Sequence, residues 1–278
     1  MKTSLIITTY NWKEALDLVF QSVARQMEMP DEVIVADDGS RPDTAELIAA
    51  WSKRLPIPVR HMWQEDIGFR AGRIRNRAII AATGEYIVIV DGDMVLNAHF
   101  IHDHKHAAER GYFMQGARLI TGPQIAKAML SKGVLDLGFF APDIRRRRHT
   151  LRNRLLSWLL RQKAHTSQRA IRSCNQAYWK ADLLRVNGFD ERMTGWGGED
   201  NEIAARLYNV GIKRRNLKFA GLAIHLHHTS RKPVGENPNH LLLQSTIATG
   251  KTRCVQGIDQ HVTDAADNMN AVKAIGNI

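Results

Sequence analysis

Two apolar runs, each ending in aspartates, constrain this chain more than any other feature. Glu32-Val33-Ile34-Val35-Ala36 leads into Asp37-Asp38-Gly39-Ser40, and Tyr86-Ile87-Val88-Ile89-Val90 leads into Asp91-Gly92-Asp93. Short, β-branched runs of this kind are the pattern of strands buried on both faces. Leu5-Ile6-Ile7-Thr8-Thr9 and the segment from Val59 to Met62 read the same way. Between them lie helical spacings: Ala15, Leu18, Val19, Ser22 and Val23, then Ala45 to Trp51, then Arg73 to Ala82. Strand and helix in alternation predict an α/β fold, a doubly wound parallel sheet with right-handed crossovers. Ligands of such sheets bind outside the carboxyl ends of the strands. Thr8, Asp37, Asp38, Asp91 and Asp93 all fall on that edge.

No G-x-x-x-x-G-K-[ST] loop and no G-x-G-x-x-G after a strand is present, so phosphates need another partner. Asp91 and Asp93, two apart at a strand end, suit a hard divalent cation held by oxygens together with a diphosphate. A simple Asp-Gly-Asp turn is the alternative. Gly68-Phe69-Arg70-Ala71-Gly72-Arg73-Ile74-Arg75-Asn76-Arg77 carries four arginines in eight residues. Guanidinium forks match phosphate oxygens, although the same residues would make a solvated basic helix face. Further on, Gly195-Trp196-Gly197-Gly198-Glu199-Asp200-Asn201-Glu202 sets an aromatic ring, glycines and adjacent carboxylates ahead of a helical pattern. It reads either as acidic capping of a helix start or as a ligand shelf with Trp196 as platform and one carboxylate as base.

At 278 residues the chain makes one large domain or two small ones and has ample length for a core. Its formal net charge of +11 points to an anionic partner: nucleic acid, a phosphorylated substrate or an acidic membrane surface. Two cysteines, Cys174 and Cys254, exclude a disulfide framework and a zinc spacing. The N-terminus lacks a signal-peptide pattern, and no apolar run approaches the ~20 residues of a membrane span. The expected location is therefore cytoplasmic, with room for peripheral attachment at the inner face of the membrane. Between Gly122 and Arg172 the alternation loosens. Arg145-Arg146-Arg147-Arg148 leads into Leu151, Leu155, Leu156, Trp158, Leu159 and Leu160, interspersed with Arg152, Arg154, Arg161 and Lys163. This is either a basic amphipathic helix on an anionic membrane surface or a lid or core-packing helix. The segment from Lys251 to Ile278 is polar and expected to be loosely ordered or a short docking helix.

Taken together, Ile6-Ile7-Thr8-Thr9-Tyr10-Asn11, Val35-Ala36-Asp37-Asp38-Gly39-Ser40, Ala71-Gly72-Arg73-Ile74-Arg75-Asn76 and Asp91-Gly92-Asp93 resemble the nucleotide-binding half of family 2 glycosyltransferases. The segment opening at Gly195 resembles the acceptor segment of β-1,4-galactosyltransferases and of bacterial chondroitin-polymerase-type enzymes. The resemblance covers roughly residues 3–120 and 173–240. It implies the GT-A fold, a Rossmann-like mixed sheet flanked by helices in a single globular domain. The expected division is a nucleotide-sugar half over residues 1–120, a variable basic insertion over 121–172, an acceptor-binding and catalytic half over 173–240, and a tail over 241–278.

By the same resemblance, Thr8, Tyr10 and Asp37 cradle the uridine, and Arg73 or Arg75 lies near the diphosphate. Asp91 meets the ribose or the metal, and Asp93 ligates Mn²⁺ or Mg²⁺. Asn175, on a strand read from Cys174 to Trp179, is a sugar contact or else a buried polar residue. Asp200 is the candidate general base, Glu199 an acceptor ligand, and Trp196 with Gly198 the acceptor platform. His228 matches the metal-binding histidine of these families. His225 stands where the galactosyltransferases place a methionine ligand, and is the second candidate. His227 is expected to point the other way on a strand. His99, His102, His104 and His106 read as surface or packing histidines, although His102 and His106 share a helix face and could bind adventitious metal. The implied function is inverting, metal-dependent transfer from a UDP-sugar, galactose or N-acetylgalactosamine favoured, to a carbohydrate or lipid-linked acceptor in surface polysaccharide or lipopolysaccharide synthesis. The alternatives are a nucleotidyltransferase on a similar sheet, and a nucleic-acid-binding protein, for which no recognition motif is visible.

Overall fold

The computed structural model describes residues 1–229 and 237–262. In chain order its elements are β1 (Thr3–Thr9), α1 (Lys13–Ala24), β2 (Glu32–Asp37), α2 (Pro42–Arg54), β3 (Val59–Trp63), α3 (Ala71–Ala81), β4 (Tyr86–Asp91) and β5 (Met94–Leu96). There follow α4 (Phe100–Ala107), β6 (Tyr112–Gln115), β7 (Ala117–Thr121), α5 (Pro123–Lys132), β8 (Ile144–Arg145), α6 (Arg154–Arg161) and β9 (Ala164–His165). The chain continues through β10 (Asn175–Trp179), α7 (Lys180–Arg185), α8 (Glu199–Asn209), β11 (Lys213–Asn216), β12 (Leu222–His225) and α9 (Asn239–Thr249). Short 3-10 turns occupy Arg147–Thr150 and Ile258–His261.

The main sheet has the order β3-β2-β1-β4-β10-β6-β11-β9. Its first four strands are parallel, as the alternation of runs and helices predicts. β10 then pairs antiparallel with both β4 and β6, so the whole sheet is mixed. Strand periodicity explains the layering. Leu5, Ile7, Val33, Val35, Val88 and Val90 face α1 and α2, where Leu16, Val19, Phe20, Val23, Ile48 and Trp51 meet them. Ile6, Ile34, Ile87 and Ile89 face the other way, onto Ile74, Ala78 and Ile79 of α3 and Ile203 and Leu207 of α8. A second sheet, β5-β12-β7-β8, folds across the carboxyl end of β4. The register of β1 places Thr8 beside Asp91 and Thr9 beside Asp37, so the acidic strand ends meet on one edge.

The C-terminal part departs from expectation. Where the tail is expected to begin at residue 241, α9 packs against α8, and the described residues beyond it dock through the turn Ile258–His261. The contacts of α9 are polar: Asn239 Nδ2 donates to Gly197 O at 2.8 Å and Thr246 Oγ1 to Glu202 Oε1 at 2.9 Å. Only Asn239 and Thr246 of α9 are buried, so an apolar stripe of the usual period is absent. The expectation for residues 263–278 lies outside the described residues. Among the described residues no helix is long and apolar enough to cross a membrane.

Candidate active site

The edge where β1, β2 and β4 end is built around Arg75 of α3. Its Nε donates to Thr8 Oγ1 at 3.1 Å and its Nη2 to Asp91 Oδ1 at 3.1 Å, while Nη1 lies 3.6 Å from Glu199 Oε1. One buried guanidinium thus ties β1, β4 and the first turn of α8 together. Burial opposes its charge, but Asp91 and Glu199 outweigh that and raise its pKa. Gly92 makes the junction tight: its N–H donates to Thr8 O at 2.7 Å, and a Cβ there would stand 3.0 Å from Thr9 Oγ1. The four arginines do not converge. Arg70 turns to the Glu65 carbonyl, Arg77 to the Trp63 carbonyl, and Arg73 lies 3.9 Å from Glu191. Of the two arginines expected near the diphosphate, Arg75 is the one bonded to the strand-end residues, and Arg73 has its ion contact with Glu191.

The residues expected to cradle the uridine form a braced turn. Asp37 is fully buried, accepting from Ser40 N–H at 2.8 Å, with His61 Nε2 at 2.9 Å from its other oxygen. Asp38 accepts from the Arg70 N–H and from Gln64 Nε2, and burial raises its carboxyl above the usual range against these bonds. Tyr10 donates to Asp66 Oδ2 at 2.8 Å. Thr8 and Tyr10 remain on the strand-end edge with Asp37.

Past Gly92, Asp93 meets the end of β12. His225 Nε2 and His228 Nε2 lie 3.5 Å and 3.3 Å from Asp93 Oδ2, and one ligand atom from each residue falls within 4.8 Å of the others. The chain is fixed there by Leu226 N–H to Asp93 O at 3.0 Å, and by Thr121 Oγ1, which donates to His225 O and accepts from His227 N–H. His227 is exposed and stands outside this cluster. Burial and the neighbouring Asp91 raise the Asp93 pKa, to about 8. Asp93 Oδ1 and His225 Nδ1 are buried without a protein partner. A carboxylate with two imidazoles and an orphaned buried oxygen fits a divalent cation. Burial, followed by Arg118 and the neighbouring histidines, lowers the His225 pKa to about 3 and keeps the ring neutral, the form that ligates metals.

The glycine-rich turn enters α8 as a shelf. Gly195, Gly197 and Gly198 all have positive φ, and Gly198 at +98° forms the N-cap. A Cβ at Gly198 would sit 3.3 Å from Asn239 Cβ and from Met193 Cε. Trp196 is 46% exposed. Glu199 is buried against Arg75 and leaves its Oε2 without a protein partner. Asp200 accepts from Asn201 N–H at 2.8 Å and Ser173 N–H at 3.3 Å. Burial, then Glu199, raises its pKa to about 6 despite those bonds and Arg75.

Asn175 is not a sugar contact. It is 1% exposed, its Nδ2 donates to Ala117 O and Gly221 O, and its Oδ1 faces His104 Nε2 at 2.9 Å. It joins the two sheets instead, which assigns His104 a buried packing role. His102 and His106 do share a face of α4, their ring centroids 3.8 Å apart and tilted by 31°, and with Glu28 they bring three ligand atoms within 4.8 Å of one another. Sequence reasoning missed an arginine group on the other wall. Arg118 of β7 donates to Cys174 Sγ at 3.3 Å and has a buried, unpartnered Nε. Arg172 adjoins Ser173, whose N–H reaches Asp200. Burial and mutual repulsion among Arg118, Arg146 and Arg172 lower the pKa of Arg146 and Arg172. Among the described residues no carboxylate pairs with these three arginines. A charged residue inside the strand-like run Ala117-Arg118-Leu119-Ile120-Thr121 was the signal available.

Comparison with known proteins matches this geometry to a family. The profile described as "Glycosyl transferase family 2" matches residues 4–172, and that described as "N-terminal domain of galactosyltransferase" matches residues 158–229. The chain is 28% identical over 276 residues to the chondroitin synthase of Escherichia coli, covering 93% of this chain and 38% of that protein. It thus spans well under half of that relative. Staphylococcus aureus TarS 1–349 in complex with UDP-GlcNAc superposes with a TM-score of 0.60 at 18% identity, over 90% of this chain and 66% of that one. The mannosyltransferase PcManGT of Pyrobaculum calidifontis, in complex with GDP-Man and Mn²⁺, gives 0.55 at 16% identity, over 88% and 69%. The fold is GT-A, and the nucleotidyltransferase alternative falls away: the chain belongs to glycosyltransferase family 2, with a galactosyltransferase-type segment in its C-terminal half.

Proposed function

We propose that this glycosyltransferase moves a sugar, galactose or N-acetylgalactosamine favoured, from a UDP-sugar to a saccharide or lipid-linked acceptor in surface polysaccharide or lipopolysaccharide assembly, with inversion at the anomeric carbon. The observation that carries the reading is the cluster of Asp93, His225 and His228 at the end of β4, within one strand end of Asp91, Arg75, Glu199 and Asp200. Asp93, His225 and His228 would hold Mn²⁺ or Mg²⁺, which when bound neutralises the departing diphosphate. Thr8, Tyr10 and the Asp37 turn are the proposed nucleoside wall, and Asp91 the ribose or metal contact. Arg75 keeps Asp91 and Glu199 in place rather than carrying the diphosphate alone.

On the acceptor side, Trp196 offers an exposed ring as platform, and Gly198 allows the backbone to approach the ligand. Asp200 takes the proton of the attacking hydroxyl as oxygen reaches the anomeric carbon from behind. Its raised pKa suits a base working near neutrality. The Arg118, Arg146 and Arg172 group supports an acceptor that carries negative charge. UDP release should be followed over a panel of UDP-sugars with Mn²⁺ and saccharide acceptors. Asp200→Asn is expected to lower kcat about 10²–10⁴-fold while leaving UDP affinity in place. Wild-type turnover in that variant would remove Asp200 as the base, and no UDP released from any donor would remove the donor class.

A further inference from the structure

The helix α6 is mounted the wrong way round for a helix of a soluble domain. Surface helices turn their apolar stripe to the core. Here the residues directed at the protein are Ser157, which is buried, and Arg161, whose Nη1 donates to His106 O. Leu155, Leu159, Trp158, Leu160 and Leu156 point outward, with exposures of 69%, 53%, 52%, 39% and 37%. Leu151, just before the helix, is exposed as well. The orientation is fixed by contacts on the polar side. Arg152 forms a forked pair with Asp103, Asn153 N–H donates to Phe219 O, and the Asn153 side chain caps the helix at Leu156 N–H. The core-packing reading of this segment therefore fails.

The surroundings of this face say what it meets. Eleven Lys and Arg residues and no Asp or Glu lie between Ile144 and Ala181, a charge equal to the +11 of the whole chain. Arg148, Arg154 and Lys163 are exposed, Arg148 lining a cavity together with Leu160. A protein partner would need an apolar surface rimmed wholly by carboxylates, whereas an anionic bilayer provides apolar depth and negative headgroups together. We propose that α6 docks this enzyme on an anionic lipid surface, with Leu155, Leu156, Trp158 and Leu159 entering the acyl boundary and the flanking basic residues meeting headgroups.

Co-sedimentation with unilamellar vesicles tests this without knowledge of donor or acceptor. The wild-type chain is expected to sediment with phosphatidylcholine–phosphatidylglycerol vesicles, to release at high salt, and not to sediment with phosphatidylcholine alone. Leu155→Glu with Leu159→Glu should lower partitioning at least ~10-fold while leaving the melting temperature unchanged, since both side chains are exposed. Brominated lipids should quench Trp158, read as the difference between the wild type and Trp158→Phe. Absence of binding to the anionic vesicles, equal binding to neutral ones, or binding indifferent to the two glutamates would overturn the proposal. A dimer in solution that the same two substitutions dissociate would assign the face to a second copy and overturn it too.

Discussion

Asp200 illustrates how one side chain's surroundings set its chemistry. It is buried beside Glu199, and both effects disfavour its charge, so its carboxyl titrates near 6 rather than near 4. A base must be ionised to accept a proton. With the pKa raised, the working form is lost as pH falls through about 6, and kcat should fall about tenfold per unit below that value. A pH–rate profile from pH 5 to 8 checks this, and a flat profile across pH 6 would contradict the role. Asp37, Asp91, Asp93 and the histidines stood out in the sequence because they lie at the ends of apolar runs, where side chains must emerge from the sheet, and Glu199 and Asp200 because they follow a glycine-rich turn at a helix start. The places of Asn175 and Arg118 were not legible there. Asn175 follows the same strand-end logic but points between the two sheets, and nothing local in the sequence distinguishes that from a ligand contact. Arg118 shows in the sequence only as a charge within an apolar run, and its place near His225 follows only when β7 is laid beside β12, which pairs Arg118 with Ala223.

At the scale of elements, α8 carries the site and is itself held by a buried ion pair. Arg206 and Glu202 are both fully buried, one helical turn apart, with Arg206 Nε at 2.8 Å from Glu202 Oε1. Arg206 also donates to the carbonyls of Val186 and Gly188, and Thr246 of α9 donates to Glu202. The pair therefore joins α8, α9 and the loop after α7. Removing one partner leaves an uncompensated buried charge, so Arg206→Met should cost about 3–5 kcal/mol of stability. Chemical denaturation measures this, and a loss below ~1 kcal/mol would show that the pair is not what holds α8. The helices α1, α2 and α3 were readable from apolar spacing, since each packs a hydrophobic stripe on the sheet. α9 was not, because its bonds to α8 run through Asn239 and Thr246, and a polar interface leaves no periodic apolar signal.

Over the whole molecule, two sheets converge on one edge. The parallel strands β1, β2 and β4 deliver Thr8, Asp37 and Asp91, and the smaller sheet delivers His225 opposite them. The parallel half followed from the alternation of apolar runs with helices. The antiparallel insertion of β10 between β4 and β6, and the short strands β8 and β9, depend on long-range pairing that a run of two to five residues does not encode. The basic run from Arg145 to Lys163 was evident in the sequence, but the outward mounting of α6 and the gathering of Arg118, Arg146 and Arg172 required the fold. The central claim is that Asp93, His225 and His228 hold a divalent cation through which this edge binds a uridine diphosphate. Calorimetric titration of UDP with Mn²⁺, with Mg²⁺ and with EDTA, in the wild type and in Asp93→Asn, tests it most directly. The account predicts binding with a divalent ion, loss of binding in EDTA, and loss in Asp93→Asn under all three conditions. Equal UDP affinity with and without metal, or undiminished metal-dependent binding in Asp93→Asn, would contradict it.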